Sequence, residues 1–359
     1  MDFPNPASGK PSPFQIGGLF LIAPNDYLRI YGHSMRRAFA DMGHESTWKG
    51  LERCAENKKP PSARLQNKIV SMLSDEALRG RGEALLEELV AADSTKPIPG
   101  PWESFLNGIV VVGENQEFSY LQSYLIEIER SEAKVLGKFY REDFAGAFAD
   151  AHRSESLSPA LWPELREVFS EARKRKELFA VRWSVGLELL LSIFVAIEVD
   201  SADTLGEVSL ESLLPRGERN PTARFFEWLL RESNCCSIPA LCDELASCGV
   251  EIEESTLERW KGGKHQPAVE TVEEIAALFQ DDSRKRQLVV LLANASRLLN
   301  FIAYVSNHLI EARHQVKSVL PKCSVFFPGL PFGYQDLQSW LWGRYPVWRE
   351  IHRVRSTRS

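Results

Sequence analysis

The stretch Ser255-Thr-Leu-Glu-Arg-Trp-Lys-Gly-Gly-Lys-His-Gln-Pro267, continued by Ala268-Val-Glu-Thr-Val-Glu-Glu-Ile-Ala-Ala-Leu-Phe279, decides the fold. It reads as helix, tight turn, helix. Leu257 and Trp260 are three apart and share one face. Gly262-Gly263 ends the first helix, because glycine takes a left-handed cap without a Cβ penalty. A left-handed backbone at Gly263 predicts that Asn replaces it better than Val. Pro267 sits near the start of the second helix, where a missing N–H is harmless. Val272, Ile275, Ala276 and Phe279 then form an apolar stripe at helical spacing. Trp260 is expected between the two helices.

Working outward, Leu245-Ala246 and Gly249-Val250 mark a preceding helix and its turn. Together with Ser255-Thr256-Leu257, Trp260, Gly263, Pro267 and Ile275-Ala276, they carry a resemblance. The segment of about 223–282 resembles the Cro/repressor-type (Xre-like) helix-turn-helix family. The resemblance implies a DNA-reading helix that begins near Ser255 and Thr256, with Arg259, Lys261 and Lys264 close to the duplex.

A weaker second copy lies at about 27–75. At an offset of 206 positions, Ala40, Gly43, Glu45, Leu51, Glu52, Arg53, Lys58, Pro61, Ile69 and Asp75 match their C-terminal counterparts. Composition alone gives about two or three such identities over this span. Cys54 stands for Trp260 and Asn57 for Gly263.

The rest of the chain is read as helical, which makes the fold class all-α: two helix-turn-helix domains flank a helical middle domain. Residues 1–13 form a proline-rich leader, 14–90 the N-terminal domain and 91–103 a Pro/Gly-rich linker. The middle domain spans 104–215, the repressor-like domain 216–305, and a Trp-rich basic extension 306–359. Gly108–Gly113 suits a strand or a helix start. Glu117–Phe148 and Pro163–Val199 read as long helices, with the charged run Glu171–Glu177 as a solvated face. Ser283–Leu320 reads as one long helix or two. Val185–Val199 is broken by Glu188 and Glu198, so it reads as a buried helix and not a membrane span. Trp340, Trp342 and Trp348 are expected to pack on the body. Stacking on nucleic acid is the alternative.

The totals narrow the classes. With 44% hydrophobic residues and a net charge of −6, the chain reads as a soluble globular protein. No signal peptide is visible, and six cysteines fit a reducing, cytoplasmic setting. Cys235, Cys236, Cys242 and Cys248 lack zinc-ligand spacing and read as small buried helix residues. No phosphate-binding loop, nucleophile elbow or zinc-protease pair occurs, so neither enzyme activity nor a cofactor or metal is expected.

Charge separates the two copies. Residues 27–70 hold nine cations and four anions, a balance of +5. Residues 223–282 hold five cations and thirteen anions, a balance of −8. Phosphate neutralisation dominates DNA affinity. Double-stranded DNA is therefore expected on the N-terminal copy. Arg36 and Arg37 would cross the backbone, Thr47, Trp48, Lys49 and Arg53 would face the groove, and Lys58 and Lys59 would meet a phosphate. The acidic C-terminal half suits a second copy of the chain or another protein. The competing class is an assembly module that keeps the helix-turn-helix fold without binding DNA.

Overall fold

The computed structural model describes residues 39–40, 43–56, 62–72, 76–91, 120–161, 163–173, 179–206, 208–319 and 336–357. Among these the fold is all-α, with thirteen α-helices and no strand. They are α1 (Glu45–Glu56), α2 (Ala63–Ser71), α3 (Glu76–Ala91), α4 (Tyr120–Tyr140), α5 (Phe144–Arg153), α6 (Pro163–Glu171) and α7 (Phe179–Leu205). Then follow α8 (Pro221–Glu232), α9 (Ile238–Ser247), α10 (Glu254–Lys261), α11 (Val269–Ile275), α12 (Ser283–Val319) and α13 (Leu337–Ser356). The leader 1–13, the linker 91–103 beyond Ala91, Gly108–Gly113 and Asn57 lie outside the described residues.

The centre is α7. Its residues from Ser184 to Ile197 are buried all round, as the apolar run Val185–Val199 predicts. It packs against α12, α13 and α4. The 37-residue α12 is one continuous helix. Its segment Ser283–Ser306 is long and apolar enough to cross a membrane, and 72% of the tested window is buried in the fold. One continuous core runs from Tyr124 to Trp348, so the borders at 215 and 305 pass through shared packing. The N-terminal helices bury Phe39, Trp48, Leu51, Ile69, Val70 and Leu86 outside that cluster.

Two long helices read from the sequence are each divided. Glu117–Phe148 breaks after Tyr140, because Glu142 takes φ 63° and Asp143 then caps α5 through Gly146 N–H at 2.9 Å. Local side-chain capping there outweighs continuation of the helical pattern. Pro163–Val199 becomes α6 and α7. In the charged run, α6 ends at Glu171, Ala172 is buried, and exposed Arg173 lies over the Phe144 ring at 5.1 Å.

Helix α13 of the Trp-rich extension packs into the core. Trp340 and Trp348 are fully buried, and Trp342 donates its indole N–H to the Pro215 carbonyl at 2.9 Å. Trp340, Arg344 and Trp348 recur every four residues and share one face of α13. All three meet Glu188 of α7. The indole N–H groups reach its carboxylate at 2.9 and 2.8 Å, and Arg344 Nε and Nη2 contact its oxygens at 3.0–3.1 Å. Nearly three turns further on, Glu198 accepts from Tyr345, from Arg349 at 2.8 Å and from the Leu210 N–H at 2.7 Å. A buried carboxylate needs such full satisfaction to be tolerated.

Candidate nucleic-acid interface

The stretch 221–282 folds as the spacing predicts. Ser237 caps α9 by accepting from Ala240 N–H. After α9 the chain turns at Gly249, whose φ is 80°. Gly249 N–H donates to the Ala246 carbonyl at 3.0 Å and Val250 N–H to the Leu245 carbonyl at 2.9 Å. This pair of bonds satisfies carbonyls that a helix end leaves open. Helix α10 follows, with Leu257 and Trp260 buried. The Trp260 ring lies 5.7 Å from that of Phe226 on α8. Gly263 has φ 69°, as expected, whereas Gly262 remains helical. The next helix begins at Val269, two residues past Pro267.

Gly263 carries a second constraint that the sequence did not announce. Asn220, the N-cap of α8, donates from Nδ2 to the Gly263 carbonyl at 2.8 Å and accepts from Ala223 N–H at 3.0 Å. Its side chain occupies the space that any Cβ at Gly263 would need. Asn at 263 meets that obstacle as Val does, in addition to the left-handed backbone, which disfavours Val more.

The turn that leads into α10, with the exposed side of its first turns, is acidic. Glu251, Glu253, Glu254 and Glu258 are exposed there, together with Ser255, Arg259 and Lys261. Arg259 folds back, with Nε to the Ser255 carbonyl at 3.1 Å and Nη2 to Ser255 Oγ at 3.3 Å. Ser255 in turn donates to Glu253 at 3.3 Å. Thr256 is half-buried and Lys264 is exposed.

The N-terminal copy repeats the turn. Gly43 has φ 74°, Gly43 N–H donates to the Ala40 carbonyl at 2.8 Å, and His44 N–H donates to the Phe39 carbonyl at 2.6 Å. Each atom pair recurs 206 positions later in the C-terminal turn. Leu51, Ile69 and Val70 are buried, as are Leu257, Ile275 and Ala276. Ser62 caps α2 where Ala268 stands before α11.

Here Thr47 and Trp48 depart from the groove-facing role. Both are buried, with Trp48 packed on Phe39 at 5.5 Å. Helix α1 starts at Glu45, earlier in the repeat than α10, and burying the indole outweighs presenting it to solvent. Lys49 and Arg53 remain exposed, with Lys49 paired to Glu45 at 3.1 Å. Arg36, Arg37, Lys58, Lys59 and the Cys54 side chain lie outside the described residues. Two cations not singled out from the sequence join the face. Arg64 and Lys68 are exposed on α2, and Lys68 Nζ reaches Ser46 Oγ at 3.0 Å. Their four-residue spacing was the available signal.

A second polar constellation sits in the core. Tyr120 OH lies 2.6 Å from His352 Nδ1, His352 Nε2 lies 2.8 Å from Ser192 Oγ, and Ser192 Oγ lies 2.5 Å from Tyr124 OH. Burial, with Arg355 nearby, pushes His352 down to about 3, and burial raises Tyr120 to about 12. His352 is thus neutral at neutral pH. A serine and a histidine in contact suggest a nucleophile and its base. Here Ser192, His352 and Tyr124 are all buried, and the serine hydroxyl is held from both sides. The chain of bonds fastens α13 and α4 to α7. Among the described residues, no group of three His, Cys, Asp or Glu is placed to hold a metal.

Comparison with protein-family models, curated proteins and solved structures finds no match.

Proposed function

We propose that the chain is a DNA-binding helix-turn-helix protein, a cytoplasmic transcriptional regulator, whose N-terminal copy meets the phosphates. The observation that carries this reading is the exposed set Lys49, Arg53, Arg64 and Lys68 on α1 and α2. The contact between Lys68 and Ser46 brings α2's charge against the start of α1. Phosphate contacts position a protein on the duplex, and groove-facing groups specify sequence.

A salt-dependent mobility-shift assay on the whole chain tests it. Removing Lys58 and Lys59, or Arg64 and Lys68, weakens binding to all sequences and lowers the salt slope by about one to two units. Changing Lys49 or Arg53 alters sequence preference. Substitutions at Arg259, Lys261 and Lys264 act weakly, because carboxylates surround them. Loss of binding from that C-terminal set alone would reverse the assignment.

A protein-assembly role is the second reading. The exposed Glu251, Glu253, Glu254 and Glu258 around α10 favour it, because they would repel phosphate.

A further inference from the structure

We infer that Cys235 and Cys236 form a thiol pair that small disulfides oxidise to a reversible bridge, and that this bridge loosens the entry to α9. The two cysteines are consecutive and lie in the short connection between α8 and α9. Their place there corrects the reading of the cysteines as buried helix residues, and none of the four described ones is buried. The reason is local. Asn234 takes φ 57°, and Cys235 N–H donates to the Leu230 carbonyl at 3.0 Å, so α8 is closed before the pair is complete.

Exposure divides the chemistry between them. Cys236 is exposed, where a dissolved oxidant reaches it. Cys235 is half-buried, packs against the core and donates its thiol to the Ser233 carbonyl at 3.6 Å. The Cys236 thiolate attacks one sulfur of the small disulfide, a mixed disulfide forms, and one small thiolate leaves. The Cys235 thiolate then attacks the Cys236 sulfur and expels the second. The pair gives two protons to solvent and two electrons to the small disulfide. The other two thiols stand apart. Cys242 donates to the Ile252 carbonyl at 3.0 Å, and burial, with Glu254 and Asp243 beside it, pushes that thiol up and keeps it protonated. Cys248 is the cap at the far end of α9.

Two features make the bridge a switch. Consecutive Cα atoms are about 3.8 Å apart, short of the roughly 4.4–6.8 Å that an ordinary disulfide spans. The bridge is strained, so a reducing thiol pool reopens it. The next residue, Ser237, is the N-cap of α9 and accepts from Ala240 N–H at 3.3 Å. Drawing the Cys235 sulfur off the core and onto Cys236 turns the backbone that sets this cap. The switch does not rest on the DNA reading.

Oxidised glutathione on the full chain tests it. Mass spectrometry of the tryptic peptide 232–259 reads the product, and a chain with Cys242→Ala and Cys248→Ala assigns it to the pair. The peptide is expected to lose two hydrogens and to carry no glutathione. Cys235→Ala should instead keep one glutathione on Cys236, because nothing expels it. Cys236→Ala should slow the reaction at Cys235 by about tenfold or more, since the exposed thiol is gone. Hydrogen exchange of the Ala240 and Leu241 amides should quicken by about fivefold in the bridged chain, the worth of a helix N-cap. Dithiothreitol should return both the mass and the exchange to their starting values. A lasting mixed disulfide in the wild type overturns the inference, as does a disulfide-linked dimer through Cys236 or a bridged chain whose α9 exchanges as before.

Discussion

Asn220 donates from Nδ2 to the carbonyl of Gly263 at 2.8 Å, so the cap of α8 and the turn after α10 are fixed to one another. Gly263 therefore has two reasons to be glycine: its φ of 69° and the asparagine side chain packed against its Cα. Gly263→Asn and Gly263→Val should each lose about 1–3 kcal/mol in urea unfolding. Adding Asn220→Gly to Gly263→Asn should recover part of the loss, because Gly is a tolerable N-cap. A Gly263→Asn chain as stable as wild type would show that the contact with Asn220 does not form.

Trp260 fills the space between α10 and Phe226 of α8. Trp260→Ala should cost about 3–5 kcal/mol, because a buried indole leaves a cavity that its surroundings fill only in part. Differential scanning calorimetry reads the change. A loss below about 1 kcal/mol would mean that the indole lies at the surface.

Glu188 and Arg344 should behave as a unit. Glu188→Gln leaves a buried guanidinium opposite a neutral amide, and about 3–5 kcal/mol of stability should go. Glu188→Met combined with Arg344→Met should be much milder than either alone, because no unpaired charge remains. Denaturation of all four chains gives the coupling.

His352 sets an acid limit. Its folded pKa is depressed to about 3 from an ordinary 6.5, so the unfolded chain binds the proton more tightly. The stability it contributes is present above pH 6.5 and drains away as pH falls towards 3, by up to about tenfold in the folding constant per pH unit. His352→Gln should flatten that part of the stability-against-pH curve. An unchanged slope between these values would show that the ring is solvated.

The sequence revealed local features well and distant ones poorly. Gly263, Trp260, the Val272–Phe279 stripe and the 206-residue offset were legible because turns and helical faces are encoded within a few residues. Thr47 and Trp48 misled because one earlier turn of α1 rotates them inward. Both halves of the Glu188 cluster were visible, as a charge within an apolar run and as Trp340, Arg344 and Trp348 at four-residue spacing. Nothing local says that they meet, since the contact joins positions 156 apart. The candidate interface was legible only as charge. Which of its cations are exposed depends on packing.

That separation has a temporal side. A ribosome adds about 5–20 residues per second, so Glu188 is made roughly 8–30 seconds before Arg344. The Trp340, Arg344 and Trp348 side chains that quiet its charge all arrive with α13. During that interval α7 carries a carboxylate with none of these partners, and the nascent helix has reason to stay hydrated. The core then closes late, when the last helix docks, so a ribosome stalled before position 337 should hold a chain that proteases cut within α7.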